Sequence, residues 1–263
     1  MAFSKWKAPT FDPASTDPFK ISRTKLDMFT ECPRCSYLDL RLGVKRPSGP
    51  SFTLNNAVDE LMKREFDIHR ADGTTHPLLK TYGLDAIPLA DKRMDEWRDA
   101  LKRGIGILHE PSNLFLRGGI DDVWVTPAGE LLIVDYKATA KTKGPSTEDD
   151  LYPSYKKQME IYQWLFRQNG HKVSPTGYFV YVNGKADAKA FDGKLEFDLC
   201  LIPYTGDDSW VSGALVDMKA MLVSDEIPSV GTCFGGGPCD FCTYREAAGK
   251  ILLKIHSAKK KKK

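Results

Sequence analysis

LFLRGGIDDVWVTPAGELLIVDYKAT, residues 114–139, decides the fold. Two apolar-rich runs flank a short polar break, Pro127-Ala128-Gly129-Glu130. Runs interrupted in this way by Pro and Gly predict a β-hairpin. Asp135 and Lys137 are two apart on the second run, so on a strand both side chains point to one face. A turn centred on Ala128-Gly129 sets a register that brings Asp121 and Asp122 opposite or beside Asp135 and Tyr136. Two carboxylates and a lysine then gather at one end of a sheet. Carboxylates that close repel each other, and a hard divalent cation relieves the repulsion. Mg²⁺ is typically held by one or two carboxylates plus water and phosphate oxygens. A metal so placed polarises a phosphoryl oxygen and acidifies its bound water, and a nearby lysine stabilises charge on the phosphate. The plain alternative is a surface salt bridge on a hairpin.

The 263 residues suffice for one large domain or a domain with a small appendage. Hydrophobic residues make up 41% and charged residues 28%, an ordinary globular balance. No run reaches the ~18 apolar residues of a membrane span, and the first twenty residues lack the apolar segment of a secretory signal. A reducing, cytoplasmic setting is the expectation. The five lysines at 259–263 outweigh the net charge of +3, leaving the remainder slightly acidic. The body is therefore no general polyanion binder, and nucleic-acid contact has to come from a local groove or from the tail. Terminal lysine runs are more often simply solvated.

Along the chain, residues 1–20 are rich in Pro, Ser, Thr and Asp and read as a flexible arm. Ser22 is a candidate N-cap for a helix running into Cys32-Pro33-Arg34-Cys35. Residues 52–69 carry a helical stripe with Asp59 near its apolar flank. Residues 71–89 read as loop, 91–103 as a second amphipathic helix, and 105–109 as a short strand. A strong helix is predicted over 152–169 on Tyr155, Met159, Tyr162, Leu165 and Phe166. Gln158 and Tyr162, four apart, share a face of it. Residues 177–182 and the alternating 194–202 read as strands, and 210–223 as a helix. The expected layout is an arm at 1–20, one domain at 21–250 and a basic tail at 251–263.

Six cysteines in a reducing compartment suggest metal rather than disulfides. Cys32-x2-Cys35 and Cys239-x2-Cys242 together supply enough thiolates for a tetrahedral Zn²⁺ site or an iron–sulfur cluster. Either would tie residues 21–50 to residues 231–250. Cys233 is an alternative ligand that can replace Cys35, whereas Cys200 falls in a strand and reads as core. Ordinary free thiols are the remaining reading.

Taken in order, these landmarks resemble the RecB-type branch of the PD-(D/E)XK nuclease superfamily. They are most similar to the cysteine-clustered CRISPR-adaptation exonucleases and the AddB nuclease domain. GGIDDV at 118–123 resembles the G-x-I-D motif, IVDYKAT at 133–139 the D-x-K motif, and QMEIY at 158–162 the Q-x-x-x-Y motif. The resemblance implies an α/β restriction-endonuclease-like core, a central mixed sheet flanked by helices. A cysteine metal site would join the terminal segments. It implies Asp121 and Asp135 as ligands of catalytic Mg²⁺ or Mn²⁺, with the Tyr136 carbonyl available to the metal. Lys137 would be the catalytic lysine, and Gln158 and Tyr162 would lie beside the scissile strand. The split cysteines would hold a [4Fe–4S] cluster or Zn²⁺.

Two departures stand out. Asp59 occupies the position where relatives carry a metal-binding His and, as a carboxylate, is a candidate ligand of Mg²⁺ or Mn²⁺, and Ala248 stands where they often have a further late cysteine. The expected activity is metal-dependent hydrolysis of DNA phosphodiester bonds, as an exonuclease on single-stranded or end-bearing DNA. The alternative is a catalytically inactive nucleic-acid-binding or assembly module on the same fold. Any helicase partner would be a separate chain, since no helicase motif is present.

Overall fold

The computed structural model describes residues 9–49, 53–232 and 236–260, with side chains to residue 257. In chain order the elements are β1 Phe19–Ser22, α1 Arg23–Glu31, α2 Pro33–Leu40, α3 Thr53–Asp72, α4 Pro77–Thr81, β2 Ile87–Pro88, α5 Met94–Arg98, β3 Ile105–His109, β4 Leu114–Gly118, β5 Asp122–Val125 and β6 Leu131–Thr139. They continue with α6 Pro153–Gln168, β7 Thr176–Gly184, β8 Phe197–Thr205, α7 Trp210–Val223 and α8 Asp240–Lys260. The chain divides into two units, one of residues 50–108 and 115–211, the other of 1–49, 109–114 and 212–263.

The first unit is built on a five-stranded mixed sheet in the order β2-β5-β6-β7-β8. The β5–β6 hairpin pairs Asp122 with Val134 and Val125 with Leu131. One step further along the same register sets Asp121 against Asp135. β6 and β7 run parallel, which demands a crossover, and α6 supplies it. β6 is buried along most of its length, as expected of a central strand covered on both faces. Phe66 and Met62 of α3 pack against Trp124, Val134 and Tyr136 on one face. Met159 of α6 closes against Gly177 of β7, where an added Cβ would stand 2.3 Å from the Met159 sulfur.

Several elements differ from their sequence reading for local reasons. The stretch read as loop at 71–89 contains α4 and the two-residue β2, which borders β5. A strand of two residues ending in Pro has no period to detect. The helix expected at 91–103 is cut to α5, because its backbone turns after Arg98 and Gly104 enters the left-handed region. The last strand lies at β8, beginning three residues later than the alternation suggested.

In the second unit, Ser22 sits at the N-cap of α1, but its hydroxyl meets Thr24 Oγ1 at 2.7 Å rather than a helix amide. Phe11, in the stretch read as an arm, is buried and packs edge-on against Phe19. α8 continues through the stretch read as a tail, and residues 251–257 are exposed on it. Among the described residues, no helix is long and apolar enough to cross a membrane.

Asp122 is wholly buried in the sheet unit. Its carboxylate accepts from Arg70, from Arg98 at 3.3 Å, from the Tyr136 hydroxyl at 2.7 Å and from its neighbour's amide at 2.8 Å. Removing one member of such a set strands buried charge at a cost of about 3–5 kcal/mol. Asp122→Ala is therefore expected to lower the urea-denaturation midpoint by a corresponding amount; an unchanged midpoint would show that the network carries no stability.

Candidate active site and cysteine cluster

β6 presents Asp135 and Lys137 on one face, as period-two geometry requires. Asp135 is wholly buried and ion-paired with the Lys137 ammonium. The Gln158 amide, delivered by α6, joins both: Nε2 donates to Asp135 Oδ1 at 2.6 Å, and Lys137 donates to Oε1 at 3.3 Å. Tyr162, one helical turn on, lies 3.5 Å from the Gln158 nitrogen and donates its hydroxyl hydrogen to the Gly119 carbonyl. The Lys137 ammonium also lies 4.5 Å above the Tyr155 ring.

Asp121, just ahead of β5, accepts the Tyr136 amide at 2.9 Å through one oxygen. Its other oxygen meets Lys63 of α3 at 3.3 Å, and Lys63 reaches Asp59 at 2.7 Å. Burial alone would depress the Lys137 pKa, but Asp135 and then Asp121 more than offset it, so the pKa is raised. Lys63 behaves likewise, with burial opposed by Asp121 and Asp59. Burial, and then the Asp121 charge, push the Asp59 carboxyl above its usual range despite Lys63. Three carboxylates thus share two ammonium groups, and the cluster keeps a net negative charge.

The sequence expectations meet here in part. Asp135, Lys137, Gln158 and Tyr162 form one connected set, and Asp121 adjoins it through the Tyr136 amide. Asp59 is joined to Asp121 through Lys63. The three aspartates do not close on a single point: among the described residues, only the cysteines gather three or more donors tightly enough to share one ion. Hard oxygen donors at the end of a hairpin still suit Mg²⁺ or Mn²⁺, which needs only one or two carboxylates when water and phosphate complete the shell.

Lys63 escaped the sequence reading although it lies four residues beyond Asp59, the spacing of helix neighbours. Tyr155 was read only as part of an apolar stripe. Arg70 and Arg98 carry no local signal at all, because their partner Asp122 is 52 and 24 residues away.

The four cysteines of the CxxC pairs are buried in the second unit. Cys32 caps α2, with Pro33 in its first turn, and Cys239 directly precedes α8. Each pair therefore spans a helix N-terminus, where amides and the helix dipole favour thiolates. Sγ separations are 3.7 Å for Cys32–Cys242, 3.6 Å for Cys35–Cys239 and 3.5 Å for Cys35–Cys242. The Gly231 amide donates to Cys32 at 3.3 Å, Arg245 to Cys35 at 3.5 Å and Arg46 to Cys239 at 3.7 Å. Burial raises the Cys32 thiol, but the amides of Cys35 and Gly231 outweigh it and bring it down to about 7. Cys233 lies outside the described residues.

The sequence matches the PD-(D/E)XK nuclease superfamily over residues 20–247. The chain belongs to this superfamily, whose members are in general metal-dependent nucleases. It is also similar to the crystal structure of SSO0001, at 15% identity over 81% of each chain with a TM-score of 0.37, too distant a likeness to carry an argument. No curated protein matches the sequence at a significant level.

Gly119 shows why the GGID segment tolerates so little. A Cβ there would stand 2.5 Å from Ala100 Cβ and 2.6 Å from its Cα. Gly119→Ala is expected to destabilise the protein by about 1–3 kcal/mol through overpacking, read as a fall in thermal midpoint. A variant as stable as the parent would show that the segment has room to shift.

Proposed function

We propose that the protein is a divalent-metal-dependent DNA nuclease that hydrolyses phosphodiester bonds as an exonuclease on single-stranded or end-bearing DNA. One observation supports this most: a buried carboxylate and a half-buried ammonium on one strand face are joined by a glutamine amide from α6, with Asp121 at the adjoining hairpin end.

Asp121 and Asp135 would hold Mg²⁺ or Mn²⁺, with the Tyr136 carbonyl available beside them and Asp59 adding negative charge through Lys63. The metal, when bound, supplies Lewis-acid polarisation of the phosphoryl oxygen and an acidified water. Lys137 would orient or activate that water and stabilise charge on the phosphate. Gln158 fixes the Asp135 carboxylate and the Lys137 ammonium together. Tyr162 anchors Gly119 and hence the approach to Asp121. Asp135→Ala and Lys137→Ala are each expected to lower Mg²⁺- or Mn²⁺-dependent cleavage of end-labelled DNA at least ~100-fold, the scale of losing a preorganised charge. Both proteins should retain their cysteine-bound metal. Undiminished cleavage in both would overturn the assignment, and DNA binding without cleavage by the parent protein would favour the inactive module.

The cysteine cluster is read here as a structural Zn²⁺ site. A tetrahedron with Zn–S bonds of about 2.3 Å has S–S edges of about 3.8 Å. Three of the six edges, at 3.5–3.7 Å, lie close to that length. A [4Fe–4S] cubane binds each thiolate to a different iron, which spreads the sulfurs to about 6 Å, whereas all four lie within 4.8 Å. Two arginines offset the charge of four thiolates around one divalent ion. Anaerobically purified protein is expected to be colourless with one zinc per chain and no acid-labile sulfide. Brown protein absorbing near ~400 nm with stoichiometric iron and sulfide would restore the cluster reading.

A further inference from the structure

Beyond Lys137 the sheet unit has a groove of about 540 Å³ whose lining includes Tyr152, Tyr155, Tyr181, Phe197, Asn55 and Lys141. Among the described residues no carboxylate lines it, although the unit as a whole carries many. Tyr152 is 38% exposed, much for a large ring bordering a groove. It meets Tyr155 edge-to-face, with centroids 5.3 Å apart and planes at 89°. The Lys141 ammonium lies 4.6 Å from the Tyr152 ring. The Lys141 backbone is pinned on both sides by Asn183, whose carboxamide accepts from its amide at 2.8 Å and donates to its carbonyl at 3.0 Å. The far wall is α3, where Asn55 donates to the Ala138 carbonyl at 3.1 Å, one turn ahead of Asp59.

The groove is continuous with the candidate active site, because Tyr155 lines it and also lies beneath the Lys137 ammonium. We propose that this groove is a stacking subsite for the bases of an unpaired nucleic-acid strand, whose backbone passes Lys141 on its way to Lys137. This deepens the nuclease reading and rests on it for the direction of the strand, but binding itself does not require cleavage. Aromatic rings beside cationic side chains are the chemistry of single-strand tracking: each base offers a π-face and each phosphate a negative charge. A duplex keeps its bases stacked on one another and leaves Tyr152 nothing to stack on. The volume is in the range that holds a small ligand, enough for a nucleoside but not for a base-paired step.

The test is fluorescence anisotropy in buffer without added divalent ion. The probes are a short labelled single-stranded oligodeoxynucleotide, the same sequence as RNA, an abasic version and a blunt duplex. Tyr152→Ala is expected to weaken single-strand binding about 10-fold and leave duplex binding unchanged, with Tyr152→Phe restoring it. The abasic strand should bind the parent protein as weakly as the intact strand binds Tyr152→Ala. The DNA and RNA arms distinguish the two sources of strand. Single-strand affinity that Tyr152→Ala leaves intact, in a variant with the parent's thermal midpoint, would overturn the subsite. So would an abasic strand bound as tightly as the intact one. If the predicted losses appear while the parent protein cleaves nothing, the subsite stands and the hydrolytic reading falls.

Discussion

The sheet unit depends on keeping charge inside a low-dielectric interior. Asp122 and Asp135, on neighbouring strands, are both wholly buried, yet they are neutralised in different ways. Asp122 is saturated: two arginines, a tyrosine hydroxyl and an amide satisfy its oxygens. It has nothing left to offer a substrate, and it holds the α3–hairpin packing in register. Asp135, Asp121 and Asp59 meet two ammonium groups, Lys137 and Lys63, among the described residues. The local excess of carboxylate is what a divalent cation would relieve. The difference between a structural and a functional acid is thus one of stoichiometry.

That distinction explains what was legible in the chain. The period-two placement of Asp135 and Lys137 follows from the strand alone, and the register follows from the turn at Ala128-Gly129. The pattern could bring Asp121 and Asp122 together to the site end. It could not say in advance which one the interior would consume, because Arg70 and Arg98 come from elements far away in sequence. The Q-x-x-x-Y spacing placed Gln158 and Tyr162 on one helix face, and the structure joins both to the hairpin. Short elements were opaque for a different reason. α4 and β2 owe their existence to side chains such as Leu79 and the adjoining Ala86 sinking into the interior, not to a repeat long enough to read.

In the second unit the constraint is closure rather than burial. Cys32 and Cys242 are 210 positions apart, yet loop-closure entropy grows only logarithmically with such a separation. Placing each pair across a helix N-terminus gives Cys32 the amides of Cys35 and Gly231 and gives Cys239 the amide of Cys242, whereas burial pushes the Cys239 and Cys242 thiols up. Gly231 completes the arrangement: its amide donates to Cys32, and a Cβ there would stand 2.2 Å from the Glu31 carbonyl oxygen. The CxxC spacings announced the cluster, and the structure gathers the four Sγ atoms within 4.8 Å of one another.

The contrast between an active nuclease and an inactive binding module turns on the same electrostatics. A binding module needs surface cations and stacking rings; it has no use for a buried carboxylate paired with a half-buried ammonium. Replacing a buried ion pair by apolar residues of similar volume is often neutral or stabilising by about 1–4 kcal/mol. Asp135 and Lys137 therefore carry a standing cost that packing alone does not justify. Lys63 adds to that cost by keeping Asp59 and Asp121 within reach of each other. Asp59 itself offers a further oxygen donor beside Lys63, and carboxylate oxygens suit Mg²⁺ or Mn²⁺. Groups kept charged at such expense, in a site that remains one positive charge short of neutral, are of the kind that gathers at functional sites.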